Sequence, residues 1–370
     1  MPEYKNLFSL IGKTDREVHA RIHDLFKTIF FDENEKFYFE TPDGTMGYML
    51  DTGNIDARTE GMSYGMMMAV QMNRQDIFDK LWKYSVTYML HDSGIYEGYF
   101  AWSVNPDGSR RAQGPAPDGE EYFAMALMFA SSRWGDREPP FDYMNQAKTI
   151  LRHCVHQDEM VEGGNTMWDR NNHLIKFVPE TPFSDPSYHL PHFYELFSER
   201  ADECDRAFWK NAARASRAYI VKSAHPVTGM CPEYAQYDAT PIHMFNKTMD
   251  YYSDAYRVIM NIALDCAWMG RTKEMCRVSE NLQAFLYENA EDNVYASYML
   301  DGSVHPEPAM HPTAITATTA AGSIASMGKY RLLWLERFWN TPLRKGERRY
   351  YDNCLYFFSF LMLAGEYRIY

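Results

Sequence analysis

Apolar residues recur along this chain with a helical period almost throughout, and strand-like alternation is scarce. The periodicity predicts about twelve helices, over roughly 14–31, 60–72, 75–90, 119–134, 141–156, 186–199, 203–223, 253–269, 272–288, 312–326, 328–339 and 350–365. The odd-numbered segments are amphipathic: REVHARIHDLFKTIF, RQDIFDKLWKYSVTYML and KEMCRVSENLQAFLYEN each carry one apolar stripe and one charged face. Even-numbered segments such as GMSYGMMMAVQM, EYFAMALMFASS, AYRVIMNIALDCAWMG, TAITATTAAGSIASMG and LYFFSFLMLAG are apolar or small nearly all round. A helix with no polar face is enclosed by protein on every side. The alternation therefore predicts an all-α fold, an (α/α)6 barrel of six inner and six outer helices. A helical-repeat solenoid is the rival, but no fixed-period similarity relates the helix pairs. No Gly/Ser- or Pro-rich linker divides the chain, so residues 1–370 are expected to form a single domain.

The connections are unequal. Links from odd to even segments are long, about 32–59, 91–118, 157–185, 224–252 and 289–311, whereas even-to-odd links are short. In such a barrel the long loops gather on one face, at the N-terminal ends of the inner helices, with the positive ends of six helix dipoles. That face is expected to carry function. Its loops hold Phe100, Trp102, Trp168, Tyr188 and His192. Each ring alone is more simply read as packing; together on one face they suggest a groove where rings stack on sugars.

Composition narrows the partners. The net charge of −13 argues against nucleic acid and anionic membranes. No apolar run approaches the roughly 20 residues of a membrane span, and MPEYKNLFSLIGKTD has no apolar signal-peptide core. The six cysteines are scattered without metal-type spacing, as expected of reduced thiols in a cytoplasmic protein. No phosphate loop or dinucleotide fingerprint is present, and no metal or cofactor is expected.

Three acids stand at heads of apolar helices: Glu60 at the second, Asp118 at the fourth and Asp254 at the eighth. Asp is a favoured N-cap, and first-turn acids are stabilised by the dipole, so capping alone would explain Asp118 or Asp254. Glu60 fits capping less well, because Thr59 is available for that task. If the ring forms, the three carboxylates converge on one mouth. Glycoside hydrolysis needs two, a proton donor and a base or nucleophile. Apolar neighbours and like charge would raise one of them, as a general acid requires. Asp250, one turn before Asp254, competes for the role of base; Glu120 and Glu121 are read as solvated first-turn acids.

ARTEGMSYGMM, PAPDGEEYFAMAL and SDAYRV resemble the signature regions of glycoside hydrolase family 8, inverting enzymes on an (α/α)6 barrel. The three occur in order, and the resemblance runs from about residue 40 to the C-terminus. Within the family the sequence is similar to reducing-end xylose-releasing exo-oligoxylanases. The resemblance implies Glu60 as general acid, Asp254 as general base, Asp118 as an acid that binds and distorts the sugar, and Tyr188 as a holder of the attacking water. Tyr122 and Arg257 lie in the same signatures and, with Trp102, are expected to contact substrate or water. PAMHPTA, with Met310, His311 and Pro312, resembles a loop that closes the cleft beyond one leaving-group sugar. The family pattern places a histidine where this sequence has Ala309, which leaves His305 and His311 as candidates. From the residues alone, His311 before Pro312 would only start a helix. The implied partner is a xylo-oligosaccharide, acted on by a monomer in the cytoplasm. Alternatives are an endo-acting β-1,4-xylanase or glucanase of the same family, a lyase or epimerase on the same barrel, and a non-catalytic sugar-binding protein.

Overall fold

The computed structural model describes residues 4–290 and 294–370. Residues 1–3, in the stretch read for a signal peptide, and 291–293, in the predicted 289–311 loop, lie outside the described residues. Twelve α-helices follow in order among the described residues: α1 Asp15–Phe31, α2 Thr59–Gln71, α3 Gln75–Tyr84, α4 Pro117–Trp134, α5 Tyr143–Met160, α6 Pro191–Arg200, α7 Arg206–Ser223, α8 Val258–Trp268, α9 Lys273–Asn289, α10 Pro312–Ala321, α11 Arg331–Asn340 and α12 Arg349–Ala364. Short antiparallel strands, such as Tyr38–Glu40 with Gly47–Met49, are confined to the connections.

The even helices touch in cyclic order, α2 to α4, α6, α8, α10, α12 and back to α2, which closes the inner ring. Each carries an odd-numbered neighbour outside it. Burial follows the sequence pattern. Every residue of α8 is buried, as is the run Tyr350–Ala364 of α12. In α9 the inward residues Met275, Val278, Ser279, Leu282, Gln283 and Leu286 recur at helical spacing while the rest are half-buried or exposed. The structure is thus the predicted (α/α)6 barrel.

Several predicted helices are subdivided at the mouth. The 253–269 segment begins as a 3-10 turn, Ser253–Arg257, and 186–199 as the turn Pro186–Tyr188 followed by Pro191 and α6. Proline at 191 has no N–H to give, so the turn ends and the helix restarts.

Two close approaches require glycine on facing inner helices. A Cβ at Gly61 would fall on the Tyr350 ring, and one at Gly119 would fall on the Thr59 side chain. The helix heads that carry Glu60 and Asp118 are drawn together by these contacts.

Candidate active site

None of the six inner helices begins with a side-chain cap; the cap positions are Arg58, Ala116, Leu190, Arg257, His311 and Arg348. The positive dipole ends therefore face the mouth, with some first-turn amides taken up elsewhere, the Thr59 amide by the Trp102 carbonyl and the Ala314 amide by Asp352 Oδ1. Thr59, expected to cap α2, is instead its first helical residue and is buried against Gly119. Asp118 is the second residue of α4, after Pro117, and Asp254 lies in the turn before α8. Neither aspartate caps its helix, which removes the capping explanation for both.

Arg257 gathers the three acids. Its Nη1 donates to Glu60 Oε2 at 3.2 Å, to Asp118 Oδ2 at 3.0 Å and to the Tyr64 hydroxyl at 3.0 Å. Its Nη2 lies 3.3 Å from Asp254 Oδ1. The guanidinium is 3% exposed and sits 5.4 Å from the Tyr188 ring centre. Tyr350, at the head of α12, donates its hydroxyl to Glu60 Oε1 at 3.0 Å. Burial raises Glu60 to about 7, against the pull of Arg257; the charges of Asp118 and Asp254 push it further up. Burial also raises Asp118, with Arg257 opposing.

Two cavities meet at these carboxylates. The larger, about 620 Å³, is lined by Trp102, Asp118, Phe177, Tyr188, Tyr234 and Phe245, among others. The smaller, about 140 Å³, is lined by Ser253, Met310, His311, Arg348, Tyr350 and Tyr351, among others. Arg58, Glu60 and Asp254 line both. His311 Nδ1 lies 2.8 Å from Asp352 Oδ2, and Arg344 binds both that oxygen and the Met310 carbonyl. His305 instead pairs with Thr248 Oγ1 at 2.9 Å and is not among the residues of the small cavity, so His311 is the histidine there.

Other sequence-based expectations are corrected. Glu120 and Glu121 are not solvated but fully buried, accepting from the Phe100 amide at 3.0 Å and the Tyr194 hydroxyl at 2.9 Å; burial raises both well above the usual carboxylate range. Phe100 packs on Trp82 and Phe123, Trp168 on Trp209 and Tyr194, and His192 on Trp268. All three are core residues, not groove residues. Tyr122 is buried beneath the mouth, edge-on to Tyr64 at 4.7 Å, and lines neither cavity. Asp250 is occupied by His243 at 2.8 Å and the Leu300 amide at 2.9 Å, which sets it aside from the Glu60 cluster.

The residues that went unnoticed are Arg58, Tyr350, Tyr351, Phe177, Tyr234 and Phe245. Tyr350 and Tyr351 head the last inner helix, so the rule that singled out Glu60 and Asp118 applies to them too. Phe177 and Phe245 had no comparable signal, since long loops contain many aromatics that do not line the cavity.

Glycosyl hydrolases family 8 matches this chain over residues 32–364. Rex8A of Paenibacillus barcinonensis, a reducing-end xylose-releasing exo-oligoxylanase, is 53% identical over 370 residues, covering 99% of this chain and 97% of the relative. The reducing end xylose-releasing exo-oligoxylanase of Halalkalibacterium halodurans is 52% identical over 373 residues, covering 99% and 94%. A solved structure of Rex8A complexed with xylose superposes with a TM-score of 0.96, covering 99% of this chain and 97% of that one. With these matches along its length, a closed helical ring and acids at the ring's mouth, this chain belongs to glycosyl hydrolases family 8 and is a glycosidase.

Proposed function

We propose that this chain is an inverting exo-acting enzyme that releases xylose from the reducing end of xylo-oligosaccharides. One observation carries the reading. Glu60 and Asp254 stand where a large cavity meets a small one, so a chain cleaved there leaves most of its length on one side and little on the other. The similarity to reducing-end xylose-releasing relatives supports the same polarity.

Glu60, protonated, donates its proton to the glycosidic oxygen as the bond to the anomeric carbon breaks. Asp254 takes a proton from a water held by Tyr188, and the water oxygen attacks the opposite face of that carbon. Inversion needs room for this water, a carboxyl separation of roughly 6.5–9.5 Å. Spacing by two nitrogens of one guanidinium suits that arrangement better than direct contact of the acids. Asp118 and Arg257 hold the sugar at the cleavage point, and Trp102, 37% exposed, offers a ring to a sugar face in the large cavity. Met310 and His311 close the small one. Tyr122 supports this site from below through Tyr64. The working unit is a monomer, and six free cysteines, four of them buried, suit the reducing cytoplasm.

The test is hydrolysis of xylotriose and of its end-reduced alcohol, with the new anomer followed by NMR. Xylose release with inverted configuration, lost on the alcohol, is expected. Retained configuration would remove the mechanism, and internal cleavage of xylan would favour the endo-acting reading.

A further inference from the structure

The turn Pro186–Tyr188, which brings Tyr188 to the large cavity, is pinned by buried groups from several elements. The Ser187 amide donates to Asp185 Oδ1 at 2.7 Å, and the Tyr188 amide donates to the Asp185 carbonyl at 3.0 Å. Asn261 Nδ2 of α8 donates to the Ser187 carbonyl at 2.7 Å. The remaining hold comes from α6, where the Tyr194 hydroxyl lies 3.1 Å from the Tyr188 carbonyl oxygen. That same hydroxyl lies 2.9 Å from Oε2 of Glu121 on α4, and both Tyr194 and Glu121 are wholly buried.

A hydroxyl has a single proton to give. Were Glu121 ionised, its carboxylate would be the stronger acceptor and would take that proton, leaving the Tyr188 carbonyl without a donor from Tyr194. The surroundings of Glu121 favour the neutral acid. Among the described residues it forms no ion pair, and its Oε1 is buried with no hydrogen-bond partner. A buried carboxylate left in that state takes up a proton instead. Burial acts most strongly, and the Asp118 charge adds to it, against the Tyr194 hydrogen bond and the Arg257 charge. A protonated Glu121 reverses the first bond: it donates to the Tyr194 hydroxyl, which then donates to Tyr188.

Resting on the assignment of Tyr188 as holder of the attacking water, we propose that Tyr194 is a positioning residue for Tyr188. Glu121 serves it as a neutral acid that leaves the Tyr194 proton free for the Tyr188 carbonyl. The Tyr188 ring lies 5.4 Å from the Arg257 guanidinium, which also meets Asp254, so a shift of the turn moves Tyr188 relative to the base. Orientation of a group at the reacting centre is worth large rate factors, so the effect appears in kcat more than in KM.

The experiment measures kcat and KM on xylotriose for Tyr194→Phe, Tyr188→Phe and the double variant. Tyr194→Phe should lower kcat about tenfold with KM within about twofold, because Tyr194 lines neither cavity. Added to Tyr188→Phe, the same change should cost no more than about twofold, since no hydroxyl is left to position. Losses that multiply in the double variant, or a Tyr194→Phe enzyme with full kcat, overturn the proposal. The proton on Glu121 is read from the infrared difference between wild type and Glu121→Gln at pH 8, far above the usual carboxylate range. Loss of the carbonyl band of a protonated carboxyl is expected, and loss of a carboxylate band overturns the proposal. Glu121→Gln should keep kcat within about threefold, because its amide N–H donates to Tyr194 as the acid does. If Tyr194→Phe does not fold, the infrared difference decides by itself, because an ionised Glu121 would claim the Tyr194 proton. Tyr188→Phe alone is the separate control: full kcat there overturns the assignment of Tyr188, whatever Tyr194→Phe does.

Discussion

Arg257 meets Glu60 across the barrel mouth, its Nη1 3.2 Å from Glu60 Oε2, although 197 positions separate them in the chain. The contact is a compromise. Burial favours the neutral carboxyl and the guanidinium favours the ion, and the balance leaves Glu60 at about 7, raised from 4.5. A proton donor working near neutral pH needs that value.

The pH dependence follows directly. With Glu60 as the proposed general acid, activity needs it protonated, so kcat/KM should fall as pH rises through about 7. Stability has the same sign. A folded-state value above the unfolded one makes stability full below about 4.5 and lost as pH rises through about 7. Glu60→Gln, which is always neutral, should therefore be stabilised relative to wild type at pH 8, on the order of 2 kcal/mol, and much less at pH 4. Thermal unfolding at the two pH values checks this; an equal shift at both contradicts it.

Arg257→Met removes the cation from three carboxylates at once. Breaking a buried pair costs about 3–5 kcal/mol. Because Arg257 pulls Glu60 down, its loss should also move the alkaline limb of any residual activity to higher pH. Denaturant unfolding and a pH–rate profile read the two effects independently, and a limb that moves lower would contradict the electrostatics.

Tyr350→Phe deletes the hydroxyl that donates to Glu60 Oε1. A hydrogen bond to a charged group is worth about 1.5–3 kcal/mol, so kcat should drop about tenfold or more with KM little changed. Gly61→Ala should act in the same direction, because its Cβ displaces the Tyr350 ring, with overpacking adding about 1–3 kcal/mol of destabilisation. Steady-state kinetics beside melting curves separate these variants. A Gly61→Ala enzyme with full kcat would show that the Tyr350 contact is dispensable.

His311→Ala opens the small cavity while Asp352 keeps Arg344 and the Ala314 amide. Early products from xylotetraose should then include xylobiose from the reducing side as well as xylose. Chromatography of the first few per cent of conversion measures the ratio; xylose alone would mean that another residue closes the cavity.

Sequence periodicity by itself determined the architecture. A helix with no polar face must be enclosed, and alternation with amphipathic helices leaves a double ring as the solution. Because the long connections then share one face, the heads of the apolar helices were already marked as the site, and Glu60, Asp118 and Asp254 were found there. What tertiary structure alone decided is the environment of each group. Asp118, Glu120 and Glu121 are near neighbours in sequence, yet a helix turns each residue to a different side, so one acid meets Arg257 and two enter the core. Phe100 and Trp168 in loops looked like Trp102, but only packing against Trp82 and Trp209 settles that they are buried. The partition into a large and a small cavity arises where α2, the turn before α8 and the head of α12 meet. It depends on contacts between residues hundreds of positions apart, and hydrophobic periodicity carries no information about such contacts.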